Sequence, residues 1–231
     1  MPGAMYQLYI ANKNYSSWSL RPWILLRELG IGFEEQRLVF ADASAWQGYR
    51  QICPSGKVPC LLDGQTRVWD SLSIAEYLAE RHQGVWPESS AARAWARSAT
   101  AEMHSGFATL REQCSMNCGV RVRLHEHGPA LTHDLSRLTA LWGEGLQRFA
   151  GPFLAGARFS AVDAFYAPVA LRIQTYDLSL SAPADAYARR LLALPSLQAW
   201  YAEALREPMR DPSHEEHITR FGELQQDLRS T

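Results

Sequence analysis

The chain has 231 residues, of which 47% are hydrophobic and 20% charged, and its formal net charge at pH 7 is -1. At roughly 150 residues per domain, this length predicts one or two domains with a sizeable core. A nearly neutral chain offers no electrostatic field for nucleic acid or for an anionic membrane, so we expect neither partner and favour small molecules.

The composition favours a cytoplasmic location. No apolar run approaches the roughly 20 residues that span a bilayer, and residues 1–14 lack the charged start and apolar centre of a secretion signal. The four cysteines, at positions 53, 60, 114 and 118, are too few and too irregularly spaced for a disulfide scaffold, which suits a reducing compartment. Cys114 and Cys118 are predicted to share one helix face, where two small buried side chains are favoured over a metal or redox pair.

The first elements follow a strand–helix–strand order. Tyr6–Ile10 alternates like a short strand, and Ser16 and Ser17 precede an apolar-periodic helix that runs to about Leu29. Residues 33–40 supply a second strand. This order predicts a parallel pair joined by a right-handed crossover.

The stretch after Lys57 predicts a loop that leads into a strand. Pro59 has no backbone N–H and heads the short apolar run 60–62, as at the first residue of a strand, and we predict a cis peptide bond before it. Such a loop leaves the backbone N–H and C=O of Val58 without a sheet partner. An extended peptide could therefore pair with them.

A hairpin and a helix complete the first half of the chain. Asp63-Gly64 is typical of a hairpin turn, and residues 66–69 predict the returning strand. Asp70 and Ser71 then open a helix that extends to about residue 83, and its free N-terminal N–H groups favour a carboxylate. One small ligand could contact both this helix start and Val58.

Helix-period patterns replace the strand signals after the break at residues 84–88, so we predict two domains, residues 1–84 and 89–231. The predicted helices of the second domain cover residues 89–117, 130–149, 160–177, 184–193 and 196–206. Ser160 and Asp163 have the spacing of a capping box. Residues 207–231 are charged and poor in core-forming side chains, and we predict a mobile or loosely docked tail.

These motifs together resemble the glutathione-binding domain of cytosolic-type glutathione S-transferases, in a bacterial-like, serine-type form. The resemblance rests on the octapeptide SSWSLRPW at residues 16–23, on the Lys57-Val58-Pro59 turn and on the Asp70-Ser71 helix start. It covers residues 5–83 well and the helical remainder loosely. It implies the glutathione S-transferase fold, with an α+β thioredoxin-like N-terminal domain of βαβ-ββα order and an all-α C-terminal domain, and it implies a homodimer.

Ser16 and Ser17 are the candidate catalytic residues. Serine is a favoured N-cap, so either side chain could instead close the helix. The motif is similar to that of the theta and zeta classes, in which a serine hydroxyl before this helix faces the glutathione sulfur. Counted back from Arg21, the theta pattern selects Ser17 and the zeta pattern selects Ser16. Trp18 and Leu20 depart from the zeta pattern, which has cysteine and tryptophan there.

The resemblance also implies five glutathione-binding residues, Lys57, Val58, Pro59, Asp70 and Ser71. Val58, held by the turn at Pro59, would pair its backbone with the cysteinyl unit, and Lys57 would lie near the glycyl carboxylate. Ser71 would hold the γ-glutamyl carboxylate and Asp70 its ammonium group. Each residue alone could be a plain turn or cap residue, but their convergence on one ligand favours binding.

The second domain is expected to shape an apolar site for an electrophile. The candidate residues are Tyr15, Trp18, His104, Phe107 and Arg111, although a methionine and aromatic stripe is more often part of a core. Tyr15 is also the next candidate for the thiolate-binding hydroxyl.

No metal site is predicted. His125-Glu126-His127, with His133 nearby, completes no metal-ligand spacing and favours a solvated loop. His214 and His217 lie three residues apart, unlike the two histidines of the His-Glu-x-x-His metalloprotease pattern.

The expected activity is the activation of the glutathione thiolate for attack on a small hydrophobic electrophile, with glutathione as co-substrate and no other cofactor. The alternatives on this fold are a glutathione-dependent isomerase, a reductase or peroxidase, and a binding protein without catalysis. A reductase or peroxidase needs a cysteine near the start of the first helix, where this chain has serines and Trp18. Retention of Ser16, Ser17, Asp70 and Ser71 argues against a binding protein.

Overall fold

The computed structural model describes residues 5–38 and 43–229. Its first part combines a sheet with three helices. The strands are β1 (Tyr6–Ile10), β2 (Phe33–Arg37), β3 (Cys60–Asp63) and β4 (Thr66–Trp69), and the helices are α1 (Ser17–Glu28), α2 (Ala43–Ile52) and α3 (Ser71–Ala79). Their order confirms the predicted thioredoxin-like βαβ-ββα arrangement. The predicted end of the second strand, residues 39–40, lies outside the described residues.

The strand order in the sheet is β2-β1-β3-β4. β1 is parallel to β2, as predicted, and antiparallel to β3, so that Leu8 lies between Glu35 and Leu61. Leu8 and Leu61 are completely buried, together with Leu20 and Ile24 of α1. Burial of apolar side chains at about 25 cal/mol per Å² makes this layer a major source of stability.

The second part consists mainly of helices. They are α4 (Ser90–Ser105), α5 (Ala108–Gln113), α6 (Pro129–Phe149), α7 (Ala161–Tyr176), α8 (Ala182–Leu192), α9 (Pro195–Arg206) and α10 (Pro212–Phe221). The helices predicted at 130–149, 160–177, 184–193 and 196–206 correspond to α6 to α9. The change from sheet to helices falls between α3 and α4, and the domain limits themselves stay a prediction.

The prediction of one helix over residues 89–117 is wrong. The first helix of this stretch, α4, ends just before Gly106. A Cβ added to Gly106 would lie 2.7 Å from the carbonyl oxygen of Glu102, so only glycine fits this turn. Phe107 follows in the left-handed region. Cys114 ends α5 and Cys118 lies beyond it, so these cysteines share no helix face. Both are buried, and burial raises the pKa of each thiol to about 12.

Helix α7 lies at the centre of the second part and packs against α1 and α4. The predicted capping box is confirmed at its start, where the Ser160 N–H donates to the Asp163 carboxylate at 3.0 Å. The Tyr187 hydroxyl donates to the same carboxylate at 2.8 Å. Almost every side chain of α7 is buried, including one arginine, Arg172.

The prediction of a mobile or loosely docked tail is also wrong for residues 207–229. After α10 the chain forms β6 (Gly222–Asp227), which pairs antiparallel with β5 (Val120–Leu124). The second part is therefore helical, as the sequence predicted, apart from this two-stranded sheet of β5 and β6, which the sequence did not predict. Arg229 forms ion pairs with Glu215 and Asp227, which gives this charged segment partners within the fold.

Two kinds of feature are not found within the described ranges. None of the helices there combines the length and the apolar character needed to cross a membrane. The histidine, cysteine, aspartate and glutamate side chains of these ranges form no group of three that could hold a metal ion.

Candidate active site

The sheet topology brings three chain segments to one edge. Tyr9 of β1 pairs with Cys60 of β3, and Cys60 pairs with Trp69 of β4. The end of β1, the start of β3 and the end of β4 therefore lie together, and so do the residues that follow or precede them. A pocket of about 620 Å³ opens beside this edge. Its lining includes Ser16, Ser17 and Val58, Arg111 and Arg172 from the helices, and Met209 and His214 from the tail.

Val58 presents an unpaired stretch of backbone to this pocket. The Val58–Pro59 peptide bond is cis, as predicted. The Tyr49 hydroxyl donates to the carbonyl oxygen of Lys57 at 2.9 Å and anchors the loop. No described group hydrogen-bonds to the backbone N–H or C=O of Val58. The Lys57 side chain is exposed. This loop can therefore pair with an extended peptide ligand.

Asp70 and Ser71 form the start of α3 in the manner expected of a ligand site. Asp70 caps the helix by accepting the Leu72 N–H at 2.8 Å. Its φ of 73° is unusual for a residue with a side chain, and such strain costs on the order of 1–3 kcal/mol. Ser71 is buried, and its hydroxyl oxygen accepts a hydrogen bond from Arg21 at 3.3 Å. A carboxylate and a guanidinium thus flank one helix N-terminus.

His104 and Phe107 do not line the pocket, in contrast to the sequence prediction. The Nε2 atom of His104 lies 3.5 Å from Asp70, and its ring meets the edge of Trp18. Burial lowers the pKa of His104, although Asp70 opposes this effect. Phe107 has a left-handed backbone conformation, and its side chain is buried in the main core instead.

The two candidate serines have different surroundings. Ser16 is the N-cap of α1, where its oxygen accepts the Ser19 N–H and its hydroxyl donates to the Ser19 oxygen at 2.7 Å. Ser17 instead accepts a hydrogen bond from Arg172 at 3.4 Å. The Ser17 hydroxyl donates to no acceptor among the described residues. The proton of Ser17 is therefore available to a ligand, whereas that of Ser16 is already used.

Three arginines create a cationic region around these serines. The guanidinium groups of Arg21 and Arg111 lie 4.0 and 5.6 Å from the ring centre of Trp18. Arg172 is 4% exposed and donates to the carbonyl oxygen of Cys114 at 2.8 Å. Burial, together with repulsion from neighbouring arginines, lowers the pKa of Arg21 to about 9 and that of Arg172 to about 10.

Tyr15 lines the pocket, but its hydroxyl group belongs to the contact with the tail. The hydroxyl donates to Glu215 at 2.5 Å and accepts hydrogen bonds from Arg229 and from the Asp211 N–H. Burial raises the pKa of Tyr15 to about 12, and the bond to Glu215 adds to this effect. The ring of His214 packs against the tyrosine ring, with the centres 4.7 Å apart.

Sequence reasoning missed Arg172 and the residues that the tail contributes. One signal could have identified Arg172, since it is the single charged residue in the run from Ala164 to Tyr176. A lone charge in such a run is expensive to bury unless a partner or a ligand satisfies it. The tail residues Met209, Asp211 and His214 carry no comparable local signal.

Comparison with known proteins points to one family. Residues 15–81 match the family described as glutathione S-transferase, N-terminal domain. The glutathione S-transferase-like protein OpS6 of Beauveria bassiana is 28% identical over 87% of this chain and 90% of its own length. A probable maleylacetoacetate isomerase of Vibrio cholerae is 29% identical over 71% of this chain and 77% of its own length. A glutathione transferase homolog from Burkholderia, solved with bound glutathione, shares the fold with a TM-score of 0.65 and 22% identity, over 87% of this chain and 98% of that one.

Proposed function

We propose that this chain, whose residues 15–81 match the N-terminal domain of glutathione S-transferases, transfers glutathione to a small electrophile and that Ser17 holds the glutathione thiolate. One observation carries this choice of residue. Ser17 accepts a hydrogen bond from Arg172, so its own proton can point to a sulfur atom in the pocket that it shares with Val58. Ser16, which the zeta pattern selects, uses its proton within the cap.

The proposed glutathione pose uses the edge where the three chain segments meet. The backbone of Val58 pairs with the cysteinyl unit, and the exposed Lys57 faces the glycyl carboxylate. Ser71 and Arg21 hold the γ-glutamyl carboxylate, and Asp70 holds its ammonium group. The glutathione bound in the Burkholderia structure supports a ligand of this kind on this fold.

The proposed chemistry requires a modest effect from the protein. A free thiol has a pKa near 8.5, and lowering it to roughly 6.5 takes about 2.7 kcal/mol at 1.36 kcal/mol per unit. A hydrogen bond to a charged group contributes about 1.5–3 kcal/mol, and a helix N-terminus adds about 0.3–1 kcal/mol. The hydrogen bond from Ser17 and the start of α1 are therefore sufficient to lower the thiol pKa by this amount, and Arg172 adds a nearby positive charge.

In the proposed reaction the thiolate sulfur forms a bond to an electrophilic carbon. A leaving group departs from that carbon with the bonding electrons, or an activated double bond takes up the electron pair and then a proton. Glutathione is the co-substrate, and no step uses another cofactor.

An ultraviolet titration of the bound thiolate tests this mechanism. We expect the thiol pKa of bound glutathione to rise by about one to two units in Ser17→Ala, which loses a hydrogen bond to a charged group. Ser16→Ala is the matched control, with an expected rise below about half a unit. An unchanged thiol pKa in Ser17→Ala would contradict the proposed role.

A glutathione-dependent isomerase is the second candidate function, and the relative from Vibrio cholerae is the observation that favours it. In an isomerase the thiolate adds to a double bond and is later eliminated, so glutathione is regenerated. Counting the glutathione consumed per turnover distinguishes the two. We expect one molecule consumed for each product formed, and no net consumption would favour the isomerase.

We also propose that the protein is a homodimer, because closed twofold dimers are the commonest assembly of soluble proteins. We further propose a cytoplasmic location, which the four irregularly spaced cysteines favour. The proposed interface joins the first part of one subunit to the helical part of its partner. Light scattering at micromolar concentration is expected to give twice the chain mass. A stable monomer mass would refute this proposal.

A further inference from the structure

The wall of the pocket formed by α5 and α7 is cationic. Arg111 and Arg172 both line it, next to Ser17. The Arg172 guanidinium donates to the carbonyl oxygens of Cys114 and Pro168 and to the hydroxyl oxygen of Ser17. All of these acceptors are neutral, so they provide hydrogen bonds but no charge compensation.

A buried charge is normally paired, because removing it from water is expensive. Within residues 5–38 and 43–229, none of Arg21, Arg111 and Arg172 takes part in an ion pair with a carboxylate. The carboxylate of Asp211 also lines the pocket, but it makes no ion pair with any of these arginines, and its partners are Ser213 and His214. The compensating charge for the arginines must therefore come mainly from outside the chain.

Bound glutathione supplies only part of this charge. Its γ-glutamyl end is a zwitterion, so it adds no net charge near Arg21 and Asp70. Its thiolate adds one negative charge beside Ser17 and Arg172. Its glycyl carboxylate faces Lys57 in the proposed pose. Arg111 and Arg172 are the two arginines of this wall, and the thiolate can compensate only one of them, so one positive charge is left without a carboxylate in contact. Arg111 is the arginine of this wall that is partly exposed, and a second ligand can reach it.

We infer that the second substrate of this enzyme carries a carboxylate, which Arg111 and Arg172 hold while the glutathione sulfur attacks a neighbouring carbon. This inference rests on the proposed function. A carboxylate fits because its two oxygens match the planar fork of N–H groups on a guanidinium. The pocket also contains Met116 and Met209, which can pack against a short carbon chain. An apolar electrophile, as the sequence predicted, would leave the excess positive charge uncompensated.

The test compares two analogues of a reaction product by calorimetry. S-(2-carboxyethyl)glutathione carries the carboxylate, and S-(2-carbamoylethyl)glutathione is its uncharged isostere. We expect the wild-type protein to bind the acid about 10- to 100-fold more tightly than the amide, the range for a hydrogen bond to a charged group. In Arg111→Gln the ratio is expected to fall to about threefold or less.

Arg123→Gln is the matched control, because Arg123 lies on β5 and is exposed outside this pocket. This variant should keep the wild-type ratio. The ratio of the two affinities within one variant is insensitive to a general loss of binding, so a partly destabilised variant still gives an answer. Unmodified glutathione is titrated in parallel with each variant.

The possible failures are distinguishable. If glutathione and the amide bind but the wild type does not prefer the acid, the inference is overturned while the proposed function stands. If the acid is preferred equally in wild type and Arg111→Gln, the carboxylate is held elsewhere and the inference also fails. If neither analogue nor glutathione binds, the proposed function itself is overturned.

Discussion

The two ends of the pocket are built in different ways. At the proposed glutathione end, the pocket is lined by Val58, and the start of α3 at Asp70 and Ser71, which lies outside the pocket lining, provides further polar groups at the same sheet edge. These groups are fixed by a turn and by a helix cap, which are local in the chain. Few long side chains must be ordered before a ligand binds there.

At the opposite end, the polar groups belong to long side chains from distant parts of the chain. Arg172 reaches Ser17 from a position 155 residues away, and Arg229 reaches the Tyr15 hydroxyl from a position 214 residues away. The contacts at this end of the pocket form only when α7 and the tail have packed against the first part of the chain.

One binding region can therefore combine a half that forms locally in the chain with a half that depends on tertiary structure. Substitutions at the proposed glutathione end should change ligand affinity and leave the fold intact. Damage to the tail end should appear first as a loss of stability.

Arg229→Ala is expected to have the largest effect. Arg229 is buried and is bonded to Glu215, Asp227 and the hydroxyl of Tyr15. Its loss leaves the partly buried Glu215 and the exposed Asp227 without their cation. We expect the free energy of unfolding in urea to fall by about 2–3 kcal/mol, below the range for a fully buried pair because both carboxylates contact solvent.

Arg123→Ala is the control for this prediction. Arg123 pairs with Glu223 across β5 and β6, but both side chains are more than half exposed. Exposed pairs contribute little, so we expect a change below about 1 kcal/mol. Equal losses in the two variants would show that the buried cluster does not anchor the tail.

Ser71→Ala is expected to have a smaller effect, and on a different quantity. It removes the hydroxyl at the start of α3 that Arg21 contacts, far from the proposed position of the sulfur. One lost hydrogen bond of about 1–2 kcal/mol corresponds to a roughly 5- to 30-fold rise in the glutathione concentration needed for half-maximal rate. The rate at saturating glutathione should be nearly unchanged.

Steady-state kinetics with varied glutathione checks this prediction, and Ser73→Ala, an exposed serine two residues along α3, is the control. A collapse of the saturated rate with unchanged affinity would contradict the placement of the γ-glutamyl group.

The sequence allowed the glutathione end to be predicted because its signals are contiguous. A proline after Lys57-Val58 indicates a cis turn, and Asp70-Ser71 indicates a capped helix start. Neither signal depends on the tertiary structure of the rest of the chain. The spacing of Ser160 and Asp163 likewise predicted a capping box that the structure confirms. Each of these patterns is decided within a few residues.

The tail end could not be predicted in this way. Residues 207–229 lack apolar periodicity, and their charges suggested solvent exposure. The contacts of Arg229 with Glu215, Asp227 and Tyr15 form only in the folded chain, so no local sequence pattern indicates them. Ser16 and Ser17 were indistinguishable by sequence for the same reason. The hydrogen bond that separates them comes from Arg172, on a helix of the second part.

The pH dependence of tail docking is the smallest expected effect. Asp211 is the N-cap of α10 and accepts hydrogen bonds from Ser213, from the His214 N–H and from the His214 ring. Burial raises its pKa, but these hydrogen bonds outweigh burial and lower the pKa from the ordinary 3.8 to about 2. The folded state therefore binds the Asp211 proton more weakly than the unfolded state does.

It follows that the contribution of Asp211 to stability is complete above about pH 4 and is lost as the pH falls from about 4 towards 2. Because the Asp211 side chain is 31% exposed, solvent screens its interactions, and we expect the contribution to be at most about 1 kcal/mol. Urea unfolding of wild type and Asp211→Asn at several pH values between 2 and 7 measures it. The difference between the two proteins should be largest near neutral pH and smallest at pH 2, where Asp211 is about half protonated in the folded state. A difference that is constant with pH would show that the side-chain charge has no part in holding the tail, and that the cap acts through hydrogen bonds that an amide can replace only in part.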